Sequence, residues 1–171
     1  KIVPEEEAHK KESEEMCKAS FYNRYVPGCY EHLFLHELRK TDLYLPEFSK
    51  VAILDGKVVG GIWYTKSHLE LKGKTIPLAT FGPLCVHPDY QGLGIGERLL
   101  KETLPLVKKA GFAGVIICGE PDYYPRLGFK TCDNFGITTA DGKNFDAFMG
   151  YEFEEGSLSQ YSGAKFYEID I

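Results

Sequence analysis

Three glycines in five residues, Gly92, Gly94 and Gly96, stand between Val86-His87-Pro88-Asp89-Tyr90-Gln91 and Glu97-Arg98-Leu99-Leu100. Glycine has no Cβ, so a chain built from it turns tightly and lets a ligand approach the backbone. Where such a turn opens a helix, the first amides lack intrahelical acceptors and favour an anion. The chemistry suggested is phosphate binding by the main chain, although a plain chain reversal uses the same residues. Two phosphate motifs fail here. A GxxxxGK[ST] loop needs Lys followed by Ser or Thr, and neither Gly94 nor Gly96 is followed that way. The dinucleotide pattern G-x-G-x-x-G lacks its last glycine, and the turn follows a long antiparallel stretch instead of opening a βαβ unit.

The surrounding elements must position this turn. Pro4 followed by Glu5-Glu6-Glu7 reads as a helix start, with the helix continuing to about Phe21. Pro27-Gly28 breaks the chain. A second helix is expected from Glu31 to Arg39, with Leu33, Phe34, Leu35 and Leu38 as its apolar residues. Asp55-Gly56-Lys57 between β-branched runs predicts a hairpin, and Lys72-Gly73-Lys74 predicts a second. Pro77 and Pro83 in the returning segment imply a bent, bulged or edge strand. After the glycine turn, a helix is expected from about Gly94 to Ala110, with Leu99, Leu100, Leu104 and Val107 inward, Pro105 as a kink and Gly111 as the cap. A parallel strand at Phe112–Cys118 completes the crossover. Asp141-Gly142-Lys143 reads as a turn before a strand-like Asn144–Phe153, and Phe166–Ile169 ends the pattern.

The balance of the 171 residues is that of one globular α/β domain: 43% hydrophobic and 26% charged. The net charge of −5 disfavours a general nucleic-acid binder, which needs a basic face. It does not disfavour phosphate held by amides. No apolar run approaches the roughly 20 residues that cross a bilayer. The acidic start does not read as a signal peptide. It also lacks Met, and only Lys1-Ile2-Val3 precedes Pro4 where a first strand is expected, as a truncated start would explain. Cys17, Cys29, Cys85, Cys118 and Cys132 are odd in number and contain no CxxC pair, so free thiols in the cytoplasm are expected. The five histidines show no ligand-like spacing, and no metal is expected.

Gln91-x-x-Gly94-x-Gly96 after Val86-His87-Pro88 resembles the acyl-CoA pyrophosphate loop of the GNAT superfamily of N-acetyltransferases. Tyr124-Pro125-Arg126-Leu127-Gly128-Phe129 resembles that superfamily's Tyr-x-x-x-Gly-Phe segment, in the right order and one helix and one strand later. The wider stretch from Pro27 to Phe129, with Pro27-Gly28-Cys29-Tyr30-Glu31-His32 and Phe81-Gly82-Pro83-Leu84, resembles a bacterial branch of small acetyltransferases. The fold this implies is α/β: a mixed, mostly antiparallel sheet with a splayed central parallel strand pair, flanked by helices.

The resemblance implies acetyl-CoA as cosubstrate, held by the backbone of Leu84, Cys85 and Val86 and by the amides of Gln91, Gly92, Leu93, Gly94, Ile95 and Gly96. It implies direct transfer of the acetyl group to an amine of a small molecule or exposed peptide, with no covalent enzyme intermediate. A non-catalytic acyl-CoA sensor on the same fold is the alternative. Tyr124 matches the tyrosine that protonates the departing CoA sulfur, and a phenol does this within hydrogen-bond reach; a tyrosine merely packed beside Phe129 is the other reading. Adjacent Tyr123 would point elsewhere. Cys29, Glu31 and His32 fall in a region that lines the acceptor site in many relatives. Either Glu31 or His32 could take the amine proton through a water, or be a helix-start acid and a surface histidine. Cys29 reads as lining. His87 before Pro88 reads as structural, and Glu120 and Asp122 are weaker candidates for the base. Gly119, Pro121 and Pro125 argue against a long helix around Tyr124, and the asparagine common before that tyrosine is absent. A homodimer is the expected assembly.

Overall fold

The structure is a computed structural model that describes residues 1–21 and 31–168. The chain forms two compact units, Lys1–Thr65 with Gly82–Leu106 and Lys66–Phe81 with Val107–Asp170. Strands β3 (Lys57–Leu71) and β4 (Lys74–Val86) and helix α3 (Ile95–Lys109) contribute to both.

In the first unit, β1 (Ile2–Pro4) pairs antiparallel with β2 (Lys50–Leu54), which pairs antiparallel with β3. Asp55 and Gly56 both take left-handed φ, 50° and 75°, as a tight hairpin between twisted strands requires. Pro4 therefore ends a strand and does not start a helix. A 3-10 turn at Glu7–His9 intervenes before α1 (Lys10–Phe21). Pairing Ile2 and Val3 with Ala52 and Val51 outweighs the local proline signal. Helix α2 (Glu31–Leu38) forms where its apolar pattern predicts. The unit's core gathers Met16, Cys17, Leu35, Leu38, Val51, Val58, Trp63 and Cys85.

Cys17 and Cys85 are joined as a disulfide, with Cα atoms 5.8 Å apart. This corrects the free-thiol expectation for that pair. The cysteines are 68 residues apart, and only the packing of α1 against β4 places them within bonding range. A buried ionic group lies in the same unit. Arg39 Nε and Nη2 donate to Glu5 at 3.2 and 2.6 Å, and Nη1 donates to Glu14 at 2.5 Å. The Arg39 and Glu5 side chains are 7% and 3% exposed, and the guanidinium lies 5.8 Å over the Trp63 ring.

In the second unit, β4 pairs parallel with β5 (Gly114–Cys118), which pairs antiparallel with β8 (Phe148–Glu152). Short strands β6 (Lys130–Thr131), β7 (Thr138–Thr139) and β9 (Lys165–Tyr167) complete the sheet, with β6 on β8 and β9 bonded to β3 and β7. The parallel pair meets at one registered position, Ala79 opposite Val115, whereas β5 and β8 share five. This is the splayed central pair that the resemblance implies. β4 runs unbroken through Pro77 and Pro83, although each proline removes an N–H donor. Residues 144–147, expected as strand, are irregular, and β8 begins at Phe148. The core here is Leu69, Leu78, Ile116, Phe135, Phe148, Leu158 and their neighbours. Among the described residues, no helix is long and apolar enough to cross a membrane.

Candidate active site

The glycine turn belongs to the first unit. β4 ends at Val86, a 3-10 turn covers Pro88–Tyr90, and α3 starts at Ile95. His87 holds this turn: its Nδ1 accepts the Asp89 amide at 3.1 Å, and its own amide donates to the Val59 carbonyl at 2.8 Å. That agrees with a structural histidine. Gly92 and Gly94 adopt φ of 80° and 79°, a region that costs an L-residue roughly 1–2 kcal/mol. Gly96 differs, for it is already helical and buried. Gln91, Gly92, Leu93 and Gly94 are exposed. Among the described residues their amides meet no backbone acceptor, and the first α3 bond runs from the Arg98 amide to the Gly94 carbonyl at 3.0 Å. The turn thus presents unpaired main-chain donors at the positive end of a 15-residue helix.

Three residues not singled out by the sequence hold this arrangement. Ser20 on α1 donates to the Val86 carbonyl at 2.6 Å, and the Gln91 side-chain amide donates to the same oxygen at 3.2 Å. Glu12 accepts the Val58 amide at 2.9 Å. Gly60 on β3 leaves room for the helix start: a Cβ there would lie 2.9 Å from Ile95 Cγ2 and 3.2 Å from the Cys85 carbonyl. Adjacent glycines inside a strand, Gly60-Gly61, were a legible sign of close approach. Ser20 and Glu12 carried no such sign. Leu84 and Val86 are half-buried, and Cys85 is buried with its sulfur bonded to Cys17, which leaves only its backbone for a ligand.

Tyr124 belongs to the second unit and opens a 3-10 turn, Tyr124–Leu127, ended by Gly128 at φ 100°. No long helix forms there. The residue is 9% exposed, and its ring packs against Phe81, Phe129 and Tyr123, with centroids 5.8, 5.4 and 5.0 Å away. Tyr123 turns from it edge to face, under the Arg126 guanidinium at 5.3 Å. Cys29 lies outside the described residues, as do the side chains of Glu31 and His32, whose backbone opens α2. Cys118, at the end of β5, has its thiol pushed up to about 11, first by desolvation and then by the Glu168 charge. Burial pushes the Cys132 thiol up as well. Neither is a ready thiolate nucleophile at neutral pH. Among the described residues, no three His, Cys, Asp or Glu side chains gather as a metal site.

The profile of the acetyltransferase (GNAT) domain family matches residues 46–131. The chain belongs to the GNAT acetyltransferase family. Among GNAT relatives, the uncharacterized N-acetyltransferase YjhQ of Escherichia coli is 34% identical over 87 residues, which cover 51% of this chain and 48% of that protein. The uncharacterized N-acetyltransferase YhbS of Escherichia coli is 25% identical over 109 residues, 64% of each chain. The matched stretch thus spans about half of one relative and under two thirds of the other. A GNAT acetyltransferase from Brucella melitensis, solved in complex with acetyl-CoA, superposes with TM-score 0.70 at 26% identity, over 90% of this chain and 88% of that one. Escherichia coli YhbS, solved in complex with CoA, superposes with TM-score 0.81 at 23% identity, over 98% of this chain and 89% of that one, and shares its fold.

Proposed function

We propose that this GNAT chain acts as one acyltransferase domain that moves an acetyl group from acetyl-CoA to an amine of a small molecule or exposed peptide. The observation that carries the reading is the row of exposed amides at residues 91–94, which meet no backbone acceptor among the described residues and are set by two left-handed glycines just before α3. Such a row suits a pyrophosphate, which asks for several donors and a positive field but no side-chain charge. The Brucella relative, solved with acetyl-CoA, supports that choice of ligand.

The backbone of residues 84–86 would hold the pantetheine arm and the acetyl carbonyl. Ser20 and Gln91 already fill the Val86 carbonyl, so of that residue's backbone the amide would be the group to serve the ligand. An amide aimed at the thioester oxygen stabilises the charge that grows there during attack. The amine nitrogen attacks the thioester carbon, the C–S bond breaks, and Tyr124 gives its phenolic proton to the departing sulfur. Proton loss from the amine through Glu31 or His32 completes the balance. The raised thiols of Cys118 and Cys132 favour this direct route over an acyl-cysteine.

A thermal titration with acetyl-CoA, CoA and NAD tests the reading. Acetyl-CoA at ~100 times its dissociation constant adds about 2.7 kcal/mol, a rise of roughly 5–10 °C for a domain of this size. CoA should do nearly as well and NAD should do nothing. No rise with millimolar acetyl-CoA would overturn the proposal.

A further inference from the structure

Gly119 follows the last residue of β5 and lies five residues before Tyr124. It is not among the residues with left-handed φ, so backbone freedom does not explain a glycine there. Space does. A Cβ at Gly119 would lie 2.4 Å from Tyr124 Cε2 and 2.7 Å from Cδ2, far inside carbon–carbon contact, and 3.2 Å from Ile117 Cδ1.

Neither partner of this contact moves freely. The Gly119 amide donates to the Ala147 carbonyl at 2.9 Å, which ties it to the irregular segment just before β8. Around the Tyr124 ring stand Phe81, Phe129 and Tyr123. Its backbone is held at both ends, by its own amide to the Glu120 carbonyl and by the Phe129 amide to its carbonyl, each at 3.3 Å. A methyl group at position 119 must therefore drive the ring out of its aromatic cage.

We propose that Gly119 is a positioning residue for the reaction: its missing side chain is the seat of the Tyr124 ring and sets where the phenolic oxygen stands. The catalytic part of this rests on Tyr124 being the acid. To return 2.4 Å to ordinary contact, the ring shifts by on the order of 1 Å, and a misplacement of that size costs about 100-fold in rate. The loop that would hold the cosubstrate contains none of these residues, so acetyl-CoA affinity should stay.

The test is a cycle of Gly119→Ala, Tyr124→Ala and the double variant in the full chain, read by thermal midpoint. Gly119→Ala should lower the midpoint by about 5 °C when Tyr124 is present and hardly at all when the ring is gone. An equal loss in both backgrounds overturns the proposal. If Gly119→Ala alone does not fold, a folded double variant supports the seat, and an unfolded double beside a folded Tyr124→Ala overturns it. With 13C-labelled tyrosine, the resonance lost in Tyr124→Phe identifies the phenol; it should move in Gly119→Ala, and an unmoved signal overturns the proposal. Turnover is then read as CoA release from acetyl-CoA with tyramine, lysine ethyl ester and spermidine as acceptors. Gly119→Ala should lower kcat about 100-fold and leave KM for acetyl-CoA within twofold, and adding Tyr124→Phe should cost little more. A Tyr124→Phe enzyme as fast as the parent overturns the acid reading and the positioning role with it. A slow Tyr124→Phe beside an uncoupled thermal cycle overturns the positioning role alone.

Discussion

The glycine turn of the first unit and the tyrosine turn of the second present their polar groups by opposite means. The turn at residues 91–94 offers main-chain amides, lies open to solvent, and depends on two left-handed glycines beside which an added Cβ meets nothing. Tyr124 offers a side chain, is nearly buried, and sits where an added Cβ at Gly119 meets its ring at once. One site is made by dihedral angles and the other by packing. A backbone site tolerates new side chains but not a new φ. A packed site tolerates neither a lost nor an added atom, because protein interiors are close-packed.

The surrounding units differ in the same sense. The first carries a disulfide and a buried arginine between two carboxylates. The second is held by apolar and aromatic contacts, with Gly114 and Gly150 giving way to Leu158. The largest expected effect comes from breaking the first unit's ionic group. Arg39→Met leaves Glu5 buried without its cation, which costs about 3–5 kcal/mol and should lower the melting temperature by roughly 10 °C in a calorimetric scan. Next is Tyr124→Phe, which keeps the ring in its cage and removes only the hydroxyl proposed as the proton donor. It should slow CoA release about 100-fold, with acetyl-CoA binding unchanged by isothermal titration.

Gly94→Ala probes the other kind of site. Its φ of 79° makes alanine cost about 1–2 kcal/mol, which should weaken acetyl-CoA binding about tenfold or lower the melting temperature, whereas Leu93→Ala, an exposed neighbour, should stay within twofold. Gly114→Ala forces Leu158 from 2.7 Å and should cost about 1–3 kcal/mol in a urea titration, with binding at the turn unaffected. The smallest effect is expected at Cys118. A thiol held near 11 labels slowly with iodoacetamide at neutral pH, and labelling should rise about tenfold per pH unit toward that value. Cys118→Ser should leave turnover within twofold. A large loss there would sharpen the comparison by adding a second side-chain group to the chemistry.

Local signals told the truth wherever the decisive physics was local. The turns at Asp55-Gly56, Lys72-Gly73 and Asp141-Gly142 form where dipeptide chemistry requires left-handed backbone. The inward face of α3, Leu99, Leu100, Leu104 and Val107, follows from helical spacing and is buried. Pro4 misled because a strand pairing 46 residues away overrides a helix-start pattern. Strands β6 and β7, two residues each, are too short for any period to show.

By itself, then, the sequence determined the glycine turn, the helix it opens, the two motifs and hence the family, because these rest on residue types within a few positions of one another. Only the tertiary structure decided that Cys17 bonds Cys85, that Ser20 fills the Val86 carbonyl, that Arg39 lies between Glu5 and Glu14, and that Gly119 makes room for Tyr124. Most of these are contacts between residues tens of positions apart. The last spans only five residues, yet it depends on how the strand end and the 3-10 turn fold back on each other. A glycine is written the same way whether it relaxes the backbone or vacates a space, and its neighbours in three dimensions settle which.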